Sequence, residues 1–138
     1  MEDVLAETAI SYPETYVQKL TGTEIKNTLE DICDNLFNPD PYYQQGGDMV
    51  RIAGLSYSCT PSEKIGRRIS DLKLDRGRAI EPGKRYTVAG WAAVNAQQGI
   101  PVWDVLAKHL GSGKPLNPSA NNVALRGVAG NPGILEPG

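Results

Sequence analysis

The run Asn38-Pro39-Asp40-Pro41 constrains this chain more than any other stretch. Proline has no backbone N–H and clashes with the turn before it. A helix therefore cannot pass through this run, and the residue before each proline is driven to extended backbone. Upstream, Ile25, Leu29, Ile32, Cys33 and Leu36 recur at helical spacing, with Glu24, Lys26, Asn27, Glu30, Asp31 and Asp34 mostly on the other side. The spacing predicts an amphipathic helix from about Glu24 to Phe37. Thr23 is the expected N-cap, without the glutamate that would complete a capping box three residues on. Downstream, the loop presents Tyr42-Tyr43 and Gln44-Gln45, hinges at Gly46-Gly47, and feeds a mostly apolar strand, Met49–Cys59, broken at Gly54. A polar, aromatic, glycine-hinged loop delivered by a rigid strand suits a binding surface; a plain surface connection is the alternative.

Other elements read from period and punctuation. Asp3–Thr8 is a short helical turn, and Ala9–Pro13 a brief extended piece. Thr15–Leu20 alternates as a strand, with Tyr16, Gln18 and Leu20 on one face. Arg68–Leu74 is a charged strand expected near a sheet edge. A hairpin-like continuation, Asp75–Ile80, leads to Glu81-Pro82-Gly83-Lys84, which has the residue order of a type II turn. Arg85–Val94 is the most β-like run and is expected at the centre of a sheet, with Trp91 in the core. Gln97-Gln98-Gly99 is a loop. Pro101 should open a last helix striped by Val102, Val105, Leu106 and Leu110, with Trp103 packed and Gly111 as the stop. From Ser112 the chain is rich in Gly, Pro and Asn and aperiodic, an irregular extended arm or disordered tail. This order predicts a small α+β domain over residues 1–111, with residues 112–138 as the tail.

The 138 residues suffice for one domain with its own core, and a net charge of −2 gives no electrostatic footprint for nucleic acid. No apolar run approaches a membrane span. Residues 1–20 do not read as a signal peptide; such a leader would have been removed or would belong to a longer parent chain. Cys33 and Cys59 have no zinc-ligand spacing and are expected as two separate, partly buried thiols, with a disulfide as the alternative. The single histidine, His109, reads as structural or solvated. Arg67-Arg68 could grip an anion, although a solvated pair is the plainer reading. No nucleophile, phosphate-loop or metal motif is present, so the chemistry on view is not that of a complete enzyme.

Several phrases carry a resemblance: KLTG (Lys19–Gly22), LED (Leu29–Asp31), GGDMVRIAGLSY (Gly46–Tyr57), RISDLKL (Arg68–Leu74) and RYTVAGW (Arg85–Trp91). In this order they resemble the C-terminal domain of the 5′-nucleotidase family, over roughly Asp3 to Leu110. The longer wording SYPETY (Ser11–Tyr16), LEDICDNLFNPDPYYQQGGDMVRIAGLSY (Leu29–Tyr57), SEKIGRRISDLKL (Ser62–Leu74), YTVAGWAAVN (Tyr86–Asn95) and GVAGNPGI (Gly127–Ile134) is most similar to the SoxB thiosulfohydrolases of that family.

The resemblance implies an α+β, 5′-nucleotidase C-terminal-like fold with a mixed sheet, packed helices and an irregular tail. It also implies a periplasmic two-domain hydrolase that removes sulfate from a thiosulfonate on a cysteine of the SoxYZ carrier. Two manganese ions and their ligands would belong to an N-terminal metallophosphoesterase-like domain that these residues do not contain; no metal, cofactor or catalytic residue is expected here. Tyr42, Tyr43, Gln44 and Gln45 are the expected contacts for the carrier tail. Gly46 and Gly47 would permit close approach, and Asp48 would fix the loop. Trp91 and Asn95 would stand at the cleft rim, and Tyr12 and Glu14 are further expected contacts. Partners would be the SoxYZ tail and the N-terminal domain, with neither nucleic acid nor membrane. Against the nucleotidase pattern, Glu14 rather than an aromatic follows Pro13, Ala92-Ala93 stand where a second ring belongs, and Asn95-Ala96-Gln97-Gln98-Gly99-Ile100 (NAQQGI) replaces a glycine–aspartate signature. Losing both rings removes a base clamp. A substrate-recognition domain of a periplasmic 5′-nucleotidase or phosphoesterase is the alternative, and a free-standing binding module a third.

Overall fold

A computed structural model describes residues 2–8, 12–91, 99–115 and 123–129. The chain divides into two compact units, each drawn from two segments: residues 1–20 with 85–117, and residues 21–84 with 118–138.

The second unit is built on helix α2, Gly22–Phe37. Its N-cap is Thr21, not Thr23, and the capping box is complete after all, because Glu24 stands at the third helical position. The Thr21 N–H donates to the Glu24 carboxylate at 2.6 Å, and the Glu24 N–H to the Thr21 hydroxyl at 3.2 Å. The next two N–H groups, of Gly22 and Thr23, donate to the carbonyls of Lys84 and Pro82 at 3.1 and 3.0 Å. The first turn therefore leaves few donors unsatisfied. The Glu81–Lys84 turn closes by a 3.2 Å bond from the Lys84 N–H to the Glu81 carbonyl. Gly83 does not have the positive φ of a type II turn, so that expectation is corrected.

Helix α2 packs on a three-stranded mixed sheet in the order β3-β2-β5. Strand β2 is Leu55–Cys59, β3 is Ile69–Leu74 and β5 is Val123–Leu125. β2 runs antiparallel to β3 and parallel to β5. Strand β2 starts only after Gly54, whose φ of +81° breaks the extended run, so residues 49–52 are irregular rather than strand. β3 lies at the sheet edge, as its charge suggested. Simple alternation would set Ile69 on the face opposite Leu72 and Leu74. A register shift opposite Tyr57, where Asp71 takes a φ of +53°, lets Ile69 join the core and Leu72 pack against it. Leu29, Cys33, Tyr57, Cys59 and Ile69 form the buried centre, flanked by Ile25, Met49, Ile52, Leu55 and Val123. β5 comes from the glycine-rich C-terminal segment. Arg126 after it donates its N–H to the Cys59 carbonyl at 2.8 Å and pairs with Asp71 at 2.6 Å.

The first unit contains α1 (Glu2–Thr8), β1 (Thr15–Thr21, whose last residue belongs to the second unit), β4 (Arg85–Trp91) and α3 (Val102–Gly111). β1 pairs with β4 in a two-stranded sheet. Among the described residues β4 has a strand neighbour on one side and is not central as expected, while residues 92–94 of the expected run lie outside the described residues; its own residues alternate between exposed and half-buried. Residues 99–102 run beside 13–15, where the Thr15 N–H donates to the Ile100 carbonyl at 3.0 Å and the Val102 N–H to the Pro13 carbonyl at 2.8 Å. Pro101 is the N-cap of α3 rather than its first helical residue. Val102 is buried, while Val105 and Leu110 of the expected stripe are exposed. The inward positions include His109, whose Nε2 is buried without a hydrogen-bond partner among the described residues.

Candidate functional site

The loop after α2 is set by a chain of short side-chain bonds. Asn38 caps the helix by donating its N–H to the Asp34 carbonyl at 2.9 Å. Its side-chain amide donates to the Asp34 carboxylate at 2.8 Å, and its amide oxygen accepts the Asp40 N–H at 3.0 Å. Asp40 in turn accepts the Tyr42 N–H at 3.0 Å and caps one 3-10 turn, Pro41–Tyr43. Gln44 reaches back to the Asn38 carbonyl at 2.7 Å, and the Gly46 N–H returns to the Asn35 carbonyl at 3.2 Å. Gly46 and Gly47 have φ of +78° and +94°, a backbone that side chains resist, and nothing lies near the Cβ either would carry. Residues 41–48 are all exposed. Tyr42 is 95% and Tyr43 65% accessible, although the backbone carrying them is hydrogen-bonded at both ends. Asp48 is exposed and makes no hydrogen bond or ion pair with any described residue.

The base of the loop rests on a buried arginine. Arg68 is 2% exposed, pairs with Asp34 at 2.5 Å, and donates to the carbonyls of Phe37 and Pro61 at 3.2 Å each. It is neither solvated nor free to grip an anion, which corrects both sequence readings of it; only Arg67 is exposed. The Arg68 guanidinium, seconded by the Asn38 amide, holds the Asp34 carboxyl below its ordinary value of 3.8. Beneath it, Glu30 is 3% exposed and accepts the N–H groups of Gly66, Arg68 and Ile69 at 2.8, 3.3 and 2.8 Å. Reading the sequence alone, we missed these positioning residues. The signal for Asp34 was its four-residue spacing from Asn38 on the helix; for Arg68 and Glu30 nothing local separates them from surface charges.

The remaining expected residues belong to the other unit. Trp91 is 56% exposed at the end of β4, not a core tryptophan. Tyr12 is 46% exposed, and Glu14 forms an isolated bridge with Pro101. Asn95 lies outside the described residues. Among the described residues, no group of three or more His, Cys, Asp or Glu could hold a metal ion, and no helix is long and apolar enough to cross a membrane. A shallow depression lined by Asn27, Thr28, Glu30, Asp31, Ile65 and Gly66 contains none of the expected contacts.

The chain belongs to the 5′-nucleotidase C-terminal domain family, whose pattern it matches over residues 1–106. It is similar to the sulfate thiohydrolase SoxB of Thermus thermophilus, solved in complex with glycerol. The identity is 36%, with a TM-score of 0.72, over 87% of this chain and 24% of that one. A candidate 5′-nucleotidase of Staphylococcus aureus, solved with α-ketoglutarate, shares the fold at 16% identity and a TM-score of 0.64, over 91% of this chain and 29% of that one. The trifunctional nucleotide phosphoesterase protein YfkN of Bacillus subtilis (strain 168) is 33% identical over 78 residues, 54% of this chain and 5% of its own length. The chain thus spans about a quarter of the solved relatives and a small part of the curated one, all hydrolases or candidate hydrolases by name.

Proposed function

We propose that this chain is the carrier-binding domain of a SoxB-like thiosulfohydrolase acting in the periplasm on the SoxYZ carrier, with Tyr42–Asp48 as its contact loop. What carries the reading is the pair Tyr42 and Tyr43, exposed on a backbone already held by hydrogen bonds at both ends. Tyrosine offers a large, amphipathic contact at low entropic cost, and a preset loop loses little freedom on binding. The positive-φ glycines beyond it leave the backbone uncovered for an extended arm. The similarity to SoxB supports this choice of partner. The hydrolytic step and its two manganese ions would reside in a metallophosphoesterase-like domain outside these residues, where bound metal would activate the attacking water.

The test is an NMR titration of the 138-residue chain, first with a carrier-tail peptide bearing a cysteine-linked sulfonate, then with adenosine monophosphate. Shifts at residues 42–48 with the peptide alone are expected. Tyr42→Ala with Tyr43→Ala should weaken that binding by about tenfold or more without changing Tm. Shifts at Tyr12 and Trp91 with the nucleotide, and none with the peptide, would overturn the proposal. They would favour the second reading, a substrate-recognition domain of a nucleotide phosphoesterase, which the likeness to YfkN and the exposed Trp91 support.

A further inference from the structure

The two cysteines of the chain sit on different elements, Cys33 on α2 and Cys59 at the end of β2. They are 0% and 2% exposed, at the centre of the core with Leu29, Tyr57 and Ile69 around them. Their sulfur atoms are 3.2 Å apart. Thus they are neither separate nor partly buried, as the sequence suggested. A covalent sulfur–sulfur bond is about 2.05 Å long, so the two need approach by only about an ångström. The chain has two cysteines in all, so no other internal pairing competes.

We propose that Cys33 and Cys59 close an intramolecular disulfide that staples α2 to β2 when the chain folds in an oxidising medium. The oxidant is a disulfide of a small thiol or of a donor protein. One cysteine thiolate attacks the donor, giving a mixed disulfide and releasing the first donor thiol. The second cysteine thiolate then displaces the other donor sulfur. Two protons leave the cysteines, and the donor, reduced by two electrons, departs as two thiols. The exchange belongs to folding, before the core shuts. Once buried, the Cys33 thiol is pushed up to about 12, mainly by desolvation and then by its contact with Cys59, so the attacking thiolate becomes scarce. The same burial shields the closed bond from reductants. The cross-link is therefore a permanent staple rather than a reversible switch, and it spans 26 residues. The inference does not depend on the substrate.

The test refolds the 138-residue chain from denaturant in a mixture of oxidised and reduced glutathione, then alkylates it in denaturant without reductant. The expected result is a mass lower by two hydrogens, no alkylation, and one proteolytic fragment joining the peptides of Cys33 and Cys59. Reducing the denatured chain and refolding it with a thiol reductant should lower Tm by on the order of 10 °C. Two alkylated thiols after refolding in the glutathione mixture would overturn the proposal, as would equal Tm for the two forms. No variant is needed, so a failure of a cysteine mutant to fold does not confuse the outcome.

Discussion

At the scale of single residues, buried charges do the most specific work. Glu30 accepts three backbone N–H groups from the segment leading into β3. A glutamine there would replace one acceptor oxygen with a donor, facing groups that are themselves donors. Glu30→Gln should therefore destabilise the chain by roughly 3 kcal/mol, the cost of leaving buried donors unpaired; urea denaturation measures it. Asp34 makes a pH-dependent contribution. Its folded pKa lies below the ordinary 3.8 because of Arg68 and then Asn38. The stabilisation is thus full above the unfolded value and is lost as pH falls through the folded one. Asp34→Asn should flatten the acid limb of a plot of stability against pH, and equal limbs would show that the pair contributes nothing. Local sequence could propose Glu30 and Asp34 as the polar face of a helix. It could not show that they face buried partners more than thirty residues away.

At the scale of elements, α2 was legible because apolar spacing, the proline stop and the length of the helix all agree. Its start was misread by two residues. Thr23 looked like a cap because Thr21 and Gly22 read as a turn, yet Glu24 completes the box with Thr21. Gly22 has a tertiary reason to be glycine. A Cβ there would run into the Glu81 carbonyl and come within 2.7 Å of Ile80 Cγ2. Gly22→Ala, which improves helix propensity in isolation, should instead lower Tm by several degrees, as calorimetry would show. A rise in Tm would mean that the 80–84 turn yields easily. The bulge in β3 escaped a period-two reading because one irregular residue reverses which face every later side chain takes.

At the scale of the whole molecule, the cysteine pair supplies a further pH test. In the reduced form, the folded Cys33 pKa of about 12 exceeds its ordinary 9.0. The unfolded thiol ionises first, so the associated stability is complete below pH 9 and declines as pH rises from there toward 12. Urea midpoints of the reduced form should fall across this window, whereas the oxidised form, with no thiol to ionise at either site, should lack that component. What the sequence by itself determined was local or verbal: the helix of α2 and its proline end, strands β1 and β3, the α+β class, and the family carried by runs such as NPDPYYQQGGDMVR. Each depends on neighbours within a few turns, where periodicity, capping and proline sterics act directly. Only the tertiary structure decided that Arg68 is buried, that Trp91 is exposed, that Val123–Leu125 joins β2, and that Cys33 meets Cys59. Those contacts join segments far apart in the chain. They depend on how the loops close and on which faces of the elements are covered, and no short window of sequence contains that information.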